Sequence, residues 1–351
     1  MKFTALEIGS GDAFLLEDDG RKILFDSGGS KTSIVRILEG ENIDRIHLAI
    51  CSHNDIDHAN GFIGLLKSKI SIDEIWLPAT WASILNFIID NKHEFFEPWR
   101  HIVYNIDEIN DEIKHNVDCL YSKESIPVED FDERLSYISE LIEINNLNDR
   151  DCWCYHHVLC GKPIIINLDR IMMIAGLAYQ HGSKIRWFEP ANSCTNNIID
   201  YGLVALNSKQ VSSVRKVKDE VSFLKMLTLT EENKHSLVFE FTKNDIPIVR
   251  FSADSDCCCM SVKSYTNNII VTAPHHGSEA NDIVYKNLKG DGIIWVRSDR
   301  KSQKRPCATF KKLSKKYCLA CCEKNFKARV SFNYDFSQNR WKYLNGNKCS
   351  C

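Results

Sequence analysis

An α/β sandwich is the fold class this sequence predicts, and three observations predict it. From Phe3 to Pro78 the chain alternates strand, helix, strand and helix patterns. An apolar strand, Ile46 to Cys51, runs directly into Ser52-His53-Asn54-Asp55-Ile56-Asp57-His58, and helical apolar spacing follows from Gly61 to Lys69. Late in the chain, Asp254 follows a short apolar run and His275-His276 stands in a Pro-His-His-Gly turn. A strand that ends in H-x-D-x-D-H and turns into a helix sets imidazoles and carboxylates on one rim. That donor set suits Zn or Mn.

Composition narrows the class. The 351 residues are 44% hydrophobic and 26% charged, enough for a large core. No apolar run reaches the roughly 18 residues a membrane helix needs. Met1 to Leu6 lacks a signal-peptide core. Fifteen cysteines without such a signal point to a reducing cytoplasm, not a disulfide framework. Net charge is −3, but unevenly spread: residues 286–351 hold 17 Lys/Arg and 4 Asp/Glu (+13), and the remainder holds 27 and 43 (−16). Either the basic end meets an anionic partner or the two ends neutralise each other.

In chain order, residues 3–9 alternate as a strand and Gly9-Ser10-Gly11-Asp12 is a turn. Ala13–Glu17 and Lys22–Phe25 form a hairpin around Asp18-Asp19-Gly20. Ser30 caps a helix through Ile34, Ile37 and Leu38. After the His/Asp cluster and its helix, Ile75–Pro78 is another strand. Residues 85–115 are expected to be largely helical, as is Val128–Leu147 with its spacing at Phe131, Leu135, Ile138, Leu141 and Ile142. Lys162–Ala175 reads as a β-rich return, and Trp187–Pro190 as a segment rejoining the core. Two thiol groups, Cys152/Cys154/His156/His157/Cys160 and Cys318/Cys321/Cys322 with Cys349/Cys351, are either structural zinc sites or reduced cysteine patches. Cys257–Cys259 reads as small filler near the rim.

Five segments together resemble the metallo-β-lactamase superfamily, in the branch of the ComEC-type soluble metallohydrolase domain. They are Gly9-Ser10-Gly11-Asp12-Ala13, Ile23–Gly28, Ser52–His58, Ser252-Ala253-Asp254 and Ala273–Ser278. Most of the superfamily has His at the position of Asp55, and Ala253 stands where the branch has Gly. The branch's closing G-H-P is replaced by Lys304-Arg305-Pro306. The resemblance implies a four-layer αββα sandwich with a largely helical insertion. The expected parts are a first core part at 1–82, an insertion and cleft cover at 83–185, a second core part at 186–316, and a Cys-containing basic extension at 317–351.

It also implies a centre of two divalent ions, Zn or Mn. His53 and Asp55 would hold the first, with Asp55 tilting the choice toward Mn. Asp57 and His58 would hold the second, Asp254 would bridge, and His276 would complete the second site, with His275 its competitor or a phosphate contact. Asp57, His53, Asp55 and His58 thereby form the catalytic set, with a hydroxide shared by the ions as nucleophile. Asp26 and Asp12 would stand behind the ligands and orient them, Asp12 equally serving as turn structure. His235 is a further candidate contact, or a solvated residue at the start of the strand Leu237–Phe241.

The expected reaction is metal-dependent hydrolysis of a phosphodiester, DNA or RNA. Arg300, Lys304 and Arg305 would bind substrate, with Arg297 and Lys311, Lys312, Lys315 and Lys316 extending the basic run; Trp295 and Tyr317 are either stacking platforms or core. Small esters, lactones or nucleotides form a second substrate class. A toxin- or defence-type effector, silent until a regulatory protein partner exposes it, is a third reading. No membrane role is expected.

Overall fold

The computed structural model describes residues 1–91, 117–144, 163–191, 198–229, 236–257, 263–265, 268–299, 305–319, 329–345 and 349. The strands are β1 (Lys2–Ala5), β2 (Phe14–Asp18), β3 (Arg21–Phe25), β4 (Arg45–Ile50), β5 (Ser71–Pro78), β6 (Tyr121–Pro127), β7 (Lys184–Pro190), β8 (Leu203–Ala205), β9 (Ser208–Gln210), β10 (Ser213–Val217), β11 (Phe239–Lys243), β12 (Ile246–Phe251), β13 (Lys263–Ser264), β14 (Ile269–Thr272), β15 (Leu288–Lys289), β16 (Ile293–Arg297), β17 (Lys316–Cys318), β18 (Val330–Asp335) and β19 (Arg340–Asn345). The helices are α1 (Ser33–Gly40), α2 (Ile56–Leu66), α3 (Ala79–Asp90), α4 (Val128–Ile144), α5 (Pro163–Gln180), α6 (Glu220–Leu229), α7 (Asp282–Asn287) and α8 (Ala308–Lys311).

Two sheets face each other. One runs β19-β18-β1-β2-β3-β4-β5-β7-β9 and the other β17-β16-β14-β12-β11-β8. Strand alternation builds the layers directly. Phe14, Leu16, Ile23, Phe25, Leu48 and Ile50 turn toward the second sheet, where Phe25 stacks on Phe251 at 4.7 Å between ring centroids. Their neighbours Leu15, Leu24 and Ala49 turn outward into a core shared with α1 to α6. On the far side, Ile269, Val271, Ile293 and Trp295 pack under α7 and α8 through Val284, Tyr285 and Phe310. Helices thus lie on the outer faces of both sheets, the αββα arrangement that the resemblance implies.

Three elements differ from expectation. Lys162–Ala175 was expected as β structure, yet Pro163–Gln180 is the helix α5. Its run of isoleucines mimics a strand, but Leu168, Ile171, Met172, Ala175 and Ala178 bury helical faces against several neighbours at once. With nearly all sides covered, the 3.6-residue period is hidden and tertiary burial overrides β propensity. Residues 330–345, set apart by sequence as an extension, form β18 and β19 on the edge of the first sheet, β18 pairing antiparallel with β1. The 2–5 strand is shorter than the alternation at 3–9 suggested, because Gly9 and Gly11 turn the chain at positive φ.

Other expectations agree. Ser30 Oγ accepts the Ser33 N–H at 3.2 Å just before α1, although the N-cap residue itself is Thr32. Val128–Ile144 is helical, and Trp187–Phe188 lies in β7, parallel to β5. Strands β3, β4 and β5 are mutually parallel, as are β12, β14 and β16. Their carboxyl ends therefore open on one rim, where ligands gather in open α/β sheets. No described helix is long and apolar enough to cross a membrane.

Candidate metal centre

The rim is assembled from loops that leave parallel strands. After β3 the chain turns at Asp26, in the left-handed region at φ 56°. The Asp26 N–H extends the ladder to the Ile50 carbonyl at 2.8 Å, and Ser27 bonds the His58 carbonyl through both N–H (2.8 Å) and Oγ (2.9 Å). After β4, Ser52 to Asp55 lead into α2, whose first turn carries Asp57 and His58; a helix N-terminus favours an acid there. The Gly9–Asp12 loop closes from the side, with the Asp12 N–H on the Asp57 carbonyl at 3.0 Å. Gly11 permits this approach: at φ 88°, a Cβ there would stand 1.6 Å from the Asp57 carbonyl oxygen. Ala253, His275 and His276 also hold positive φ, each a backbone cost of order 1–2 kcal/mol that the surroundings must sustain.

Hydrogen bonds fix how the imidazoles face. Buried Asp26 receives the Ser52 N–H at Oδ1, and Ser52 Oγ and His58 Nδ1 at Oδ2, each at 2.8 Å. A carboxylate only accepts, so the Ser52 hydroxyl donates to Asp26. Its oxygen then accepts from His53 Nδ1, also at 2.8 Å. His276 Nδ1 lies 3.0 Å from Asp12 Oδ1, which Ser298 Oγ also reaches. All three rings thus carry their proton on Nδ1, outward, and present Nε2 to the centre. The buried His53 Nε2 has no hydrogen-bond partner among the described residues.

Around the centre, His58 Nε2 and His276 Nε2 stand 3.1 Å apart. Asp254 Oδ1 lies 3.1 Å from the first and 3.6 Å from the second, and Asp57 Oδ2 lies 3.2 Å from His276 Nε2. Two acceptor nitrogens at such a distance repel unless a proton or cation sits between them. Donors about 2.0–2.2 Å from a tetrahedral ion stand roughly 3.3–3.6 Å apart, so the residues present fit a metal. The other oxygen of Asp254, Oδ2, faces a second group: His53 Nε2 at 4.0 Å and His275 Nε2 at 3.5 Å, with Asp55 Oδ2 3.5 Å from His53 Nε2. Asp12, His58, Asp254 and His276 form one group able to hold an ion, and His53, Asp55 and Asp254 another.

Electrostatics express the same demand for positive charge. Burial disfavours the His58 imidazolium, yet Asp254 and Asp26 outweigh it and raise its pKa well above the ordinary value. His276 is likewise opposed by burial but pushed up to about 10 by Asp12 and Asp254. Burial would raise Asp254, but His58 and His276 hold it well below the usual carboxylate range; Asp57 and Asp12 are lowered by the same imidazoles. His275 behaves oppositely: burial lowers its pKa. Its Nδ1 pairs with Asn281 Oδ1 at 3.1 Å, and Arg305 Nη2 donates to its Nε2 at 2.7 Å.

The geometry brings together His53, Asp55, Asp57, His58, Asp254, His275, His276, Asp26, Asp12 and Arg305. Arg300, Lys304 and His235 lie outside the described residues, as do Cys258, Cys259, Cys321, Cys322, Cys351 and the whole Cys152–Cys160 group. Arg297, expected in the basic run, is fully buried: its Nε donates to the His276 carbonyl at 2.5 Å and its Nη1 reaches Cys318 Sγ at 3.1 Å. Trp295 is core, and Tyr317 packs on Phe332 and Tyr343. Sequence reasoning missed Ser52 as the relay to His53, Asn281 as the partner of His275, and Ser298 beside Asp12. Only Ser52, inside the motif itself, carried a local signal.

A family model described as the metallo-beta-lactamase superfamily matches residues 6–112. A search of curated proteins finds no match. With the two covered sheets and the buried Asp/His cluster at their carboxyl ends, the protein has the metallo-β-lactamase fold. Members of that superfamily are mostly metal-dependent hydrolases, and the centre described above is one that divalent metals could occupy.

Proposed function

We propose that this protein is a dinuclear metal-dependent hydrolase acting on a phosphodiester, most simply DNA or RNA, in the manner of the ComEC-type branch. One observation carries the reading: the two oxygens of buried Asp254 each face a separate histidine-bearing group. A carboxylate so placed could give one oxygen to each of two ions. Zn or Mn bound there would polarise the scissile phosphoryl group and lower the pKa of water, to about 7 in the zinc case. Asp254, His58, His276 and Asp57 would hold one ion, and His53, Asp55 and Asp254 the other. Asp26 and Asp12 keep the rings in the ligating tautomer. Asp57 is also placed to orient the attacking water, and no Ser or Cys nucleophile is required.

The open side of the centre suits an anion. Arg305, at His275, can pair with a phosphate oxygen. Cys307 N–H bonds the Gly277 carbonyl at 2.8 Å, so the chain leading to exposed Lys311, Lys312 and Lys315 starts beside the His275–His276 turn. A polyanion meeting several such cations would bind with strong salt dependence. A small ester or lactone is the second reading, favoured by Ile56. Its side chain is exposed between Asp55 and Asp57, offering an apolar contact beside the centre.

The test is cleavage of single-stranded DNA, double-stranded DNA and RNA by purified protein with Mn²⁺, Zn²⁺ or EDTA, beside Asp254→Asn. Metal-dependent cleavage lost in the variant supports the proposal. Turnover of small esters only, insensitive to salt, moves the assignment to the second reading. Two bound ions without activity on any substrate would point to a regulatory partner, and no bound metal would end the metal assignment.

A further inference from the structure

The donors of the group around Asp254 Oδ2 are His53 and Asp55, and Asn54 is the residue between them. Asn54 is fully buried and is held from outside the sandwich core, by α5. Its Nδ2 donates to the Asn167 carbonyl at 3.1 Å. Arg170 Nη1 donates to the Asn54 carbonyl and lies 3.3 Å from Asn54 Oδ1 and 3.2 Å from Asn167 Oδ1. Arg170 itself is 5% exposed. A guanidinium this deep costs several kcal/mol unless acceptors are placed for it. Nη1 alone meets all three oxygens, and the planar guanidinium fixes the direction of its N–H groups, as the rotatable ammonium of a lysine does not.

The two halves of the centre are anchored differently. His58 and His276 are oriented by Asp26 and Asp12, and Asp57 and His58 ride on α2. His53 has Ser52. Asp55 makes no side-chain capping bond at the start of α2, so the backbone it shares with Asn54 sets where its carboxylate points.

We propose that Arg170 is a positioning residue for one ion of the pair. By fixing the Asn54 backbone it places His53 and Asp55 together and makes that ion's binding depend on the Arg170 contact, while the ion at His58 and His276, whose rings are held by Asp26 and Asp12, depends on that contact less. This inference rests on the two-ion reading above.

The experiment uses the full chain, stripped with chelator and titrated with Mn²⁺, followed by calorimetry and by the electron paramagnetic resonance signal of a spin-coupled pair. In Arg170→Met, one ion is expected to weaken by about tenfold or more, the usual effect of losing an outer partner of a ligand. The other should keep its affinity, and the coupled signal should give way to that of an isolated ion. Arg170→Lys should recover part of the loss. Asn167→Ala, a milder change that removes one acceptor around Arg170, should move the same ion by a smaller factor and serves where Arg170→Met does not fold. Both ions weakening equally with a lowered melting temperature, or neither weakening, would overturn the proposal and leave the two-ion reading intact. Wild-type protein that takes up fewer than two ions would overturn both.

Discussion

Asp26→Asn tests the centre most sharply, because one buried carboxylate governs two rings. Asp26 is fully buried and receives three hydrogen bonds at 2.8 Å, from Ser52 N–H, Ser52 Oγ and His58 Nδ1. An amide there keeps one acceptor. With its oxygen on the Ser52 N–H, its NH₂ faces the Ser52 hydroxyl and His58 Nδ1, which had both been donors. Relief requires His58 Nδ1 to accept, moving its proton to Nε2. It also requires Ser52 to accept from the amide and donate to His53 Nδ1, moving that proton to Nε2 as well. Both rings would then aim an N–H at the centre. Loss of an outer partner typically costs about 10–100-fold in metal affinity, or roughly 1.4–2.7 kcal/mol. Here it should appear at both ions, so binding of the pair should fall by roughly 10²–10⁴. Asp12→Asn, which among the three rings bonds only His276, should weaken one ion alone. The assay is chelator competition with metal analysis, with nitrogen NMR of the metal-free protein reading the tautomers. Asp26→Asn binding two ions with wild-type affinity would refute the tautomer reasoning.

Gly11→Ala should destabilise the fold by about 2–4 kcal/mol, combining left-handed strain with overpacking, since its Cβ would sit 1.6 Å from the Asp57 carbonyl; an unchanged denaturation midpoint would count against the loop geometry. Metal-free protein should lose stability as pH rises from about 6.5 toward 10. The raised pKa values of His58 and His276 contribute fully below the unfolded value of 6.5 and fade as pH passes their folded values, about 10 for His276. The lowered values of Asp254, Asp57 and Asp12 contribute above 3.8 and are lost on acidification, so the metal-free optimum should fall between about pH 4 and 6.5. Melting curves with EDTA that stay flat or rise from pH 6.5 to 9 would contradict this. Arg305→Ala should raise KM for a polynucleotide and reduce the salt slope by about one, with ion stoichiometry unchanged; a lost ion would instead make Arg305 a prop for His275.

What the sequence discloses and what it hides follow from range. The H-x-D-x-D-H run is legible because a strand end and a helix start place it locally, and Asp254 and His276 because each ends its own parallel strand. The Asp26–Ser52–His53 relay joins residues 26 positions apart, and the Arg170–Asn54 contact spans 116; neither leaves a periodic trace. Helix α5 was misread because burial on nearly every side removes the amphipathic signal. Strand β18 was set outside the core because its partner β1 lies at the opposite end of the chain. Arg297 shows that a basic run does not distinguish a surface cation from a buried clamp: the same residue type is exposed or internal according to whether carbonyls and a thiol are waiting for it.

Charge supplies the remaining step from geometry to chemistry. Five carboxyl groups (Asp12, Asp26, Asp55, Asp57 and Asp254) surround His53, His58 and His276, and Asp12, Asp26 and Asp254 are essentially inaccessible to water. With every carboxyl ionised and every ring neutral, the formal charge is −5. Protonating His58 and His276, as their raised pKa values favour, leaves −3. Two divalent cations would leave −1. Burying uncompensated charge costs several kcal/mol per ion, so a fold that gathers these groups at the ends of its parallel strands needs compensating positive charge there. Protons meet that demand only in part, and they do so by occupying the nitrogens that face the centre. Metal uptake must therefore displace protons from His58 and His276, and affinity should rise with pH across the range where the metal-free protein is losing stability.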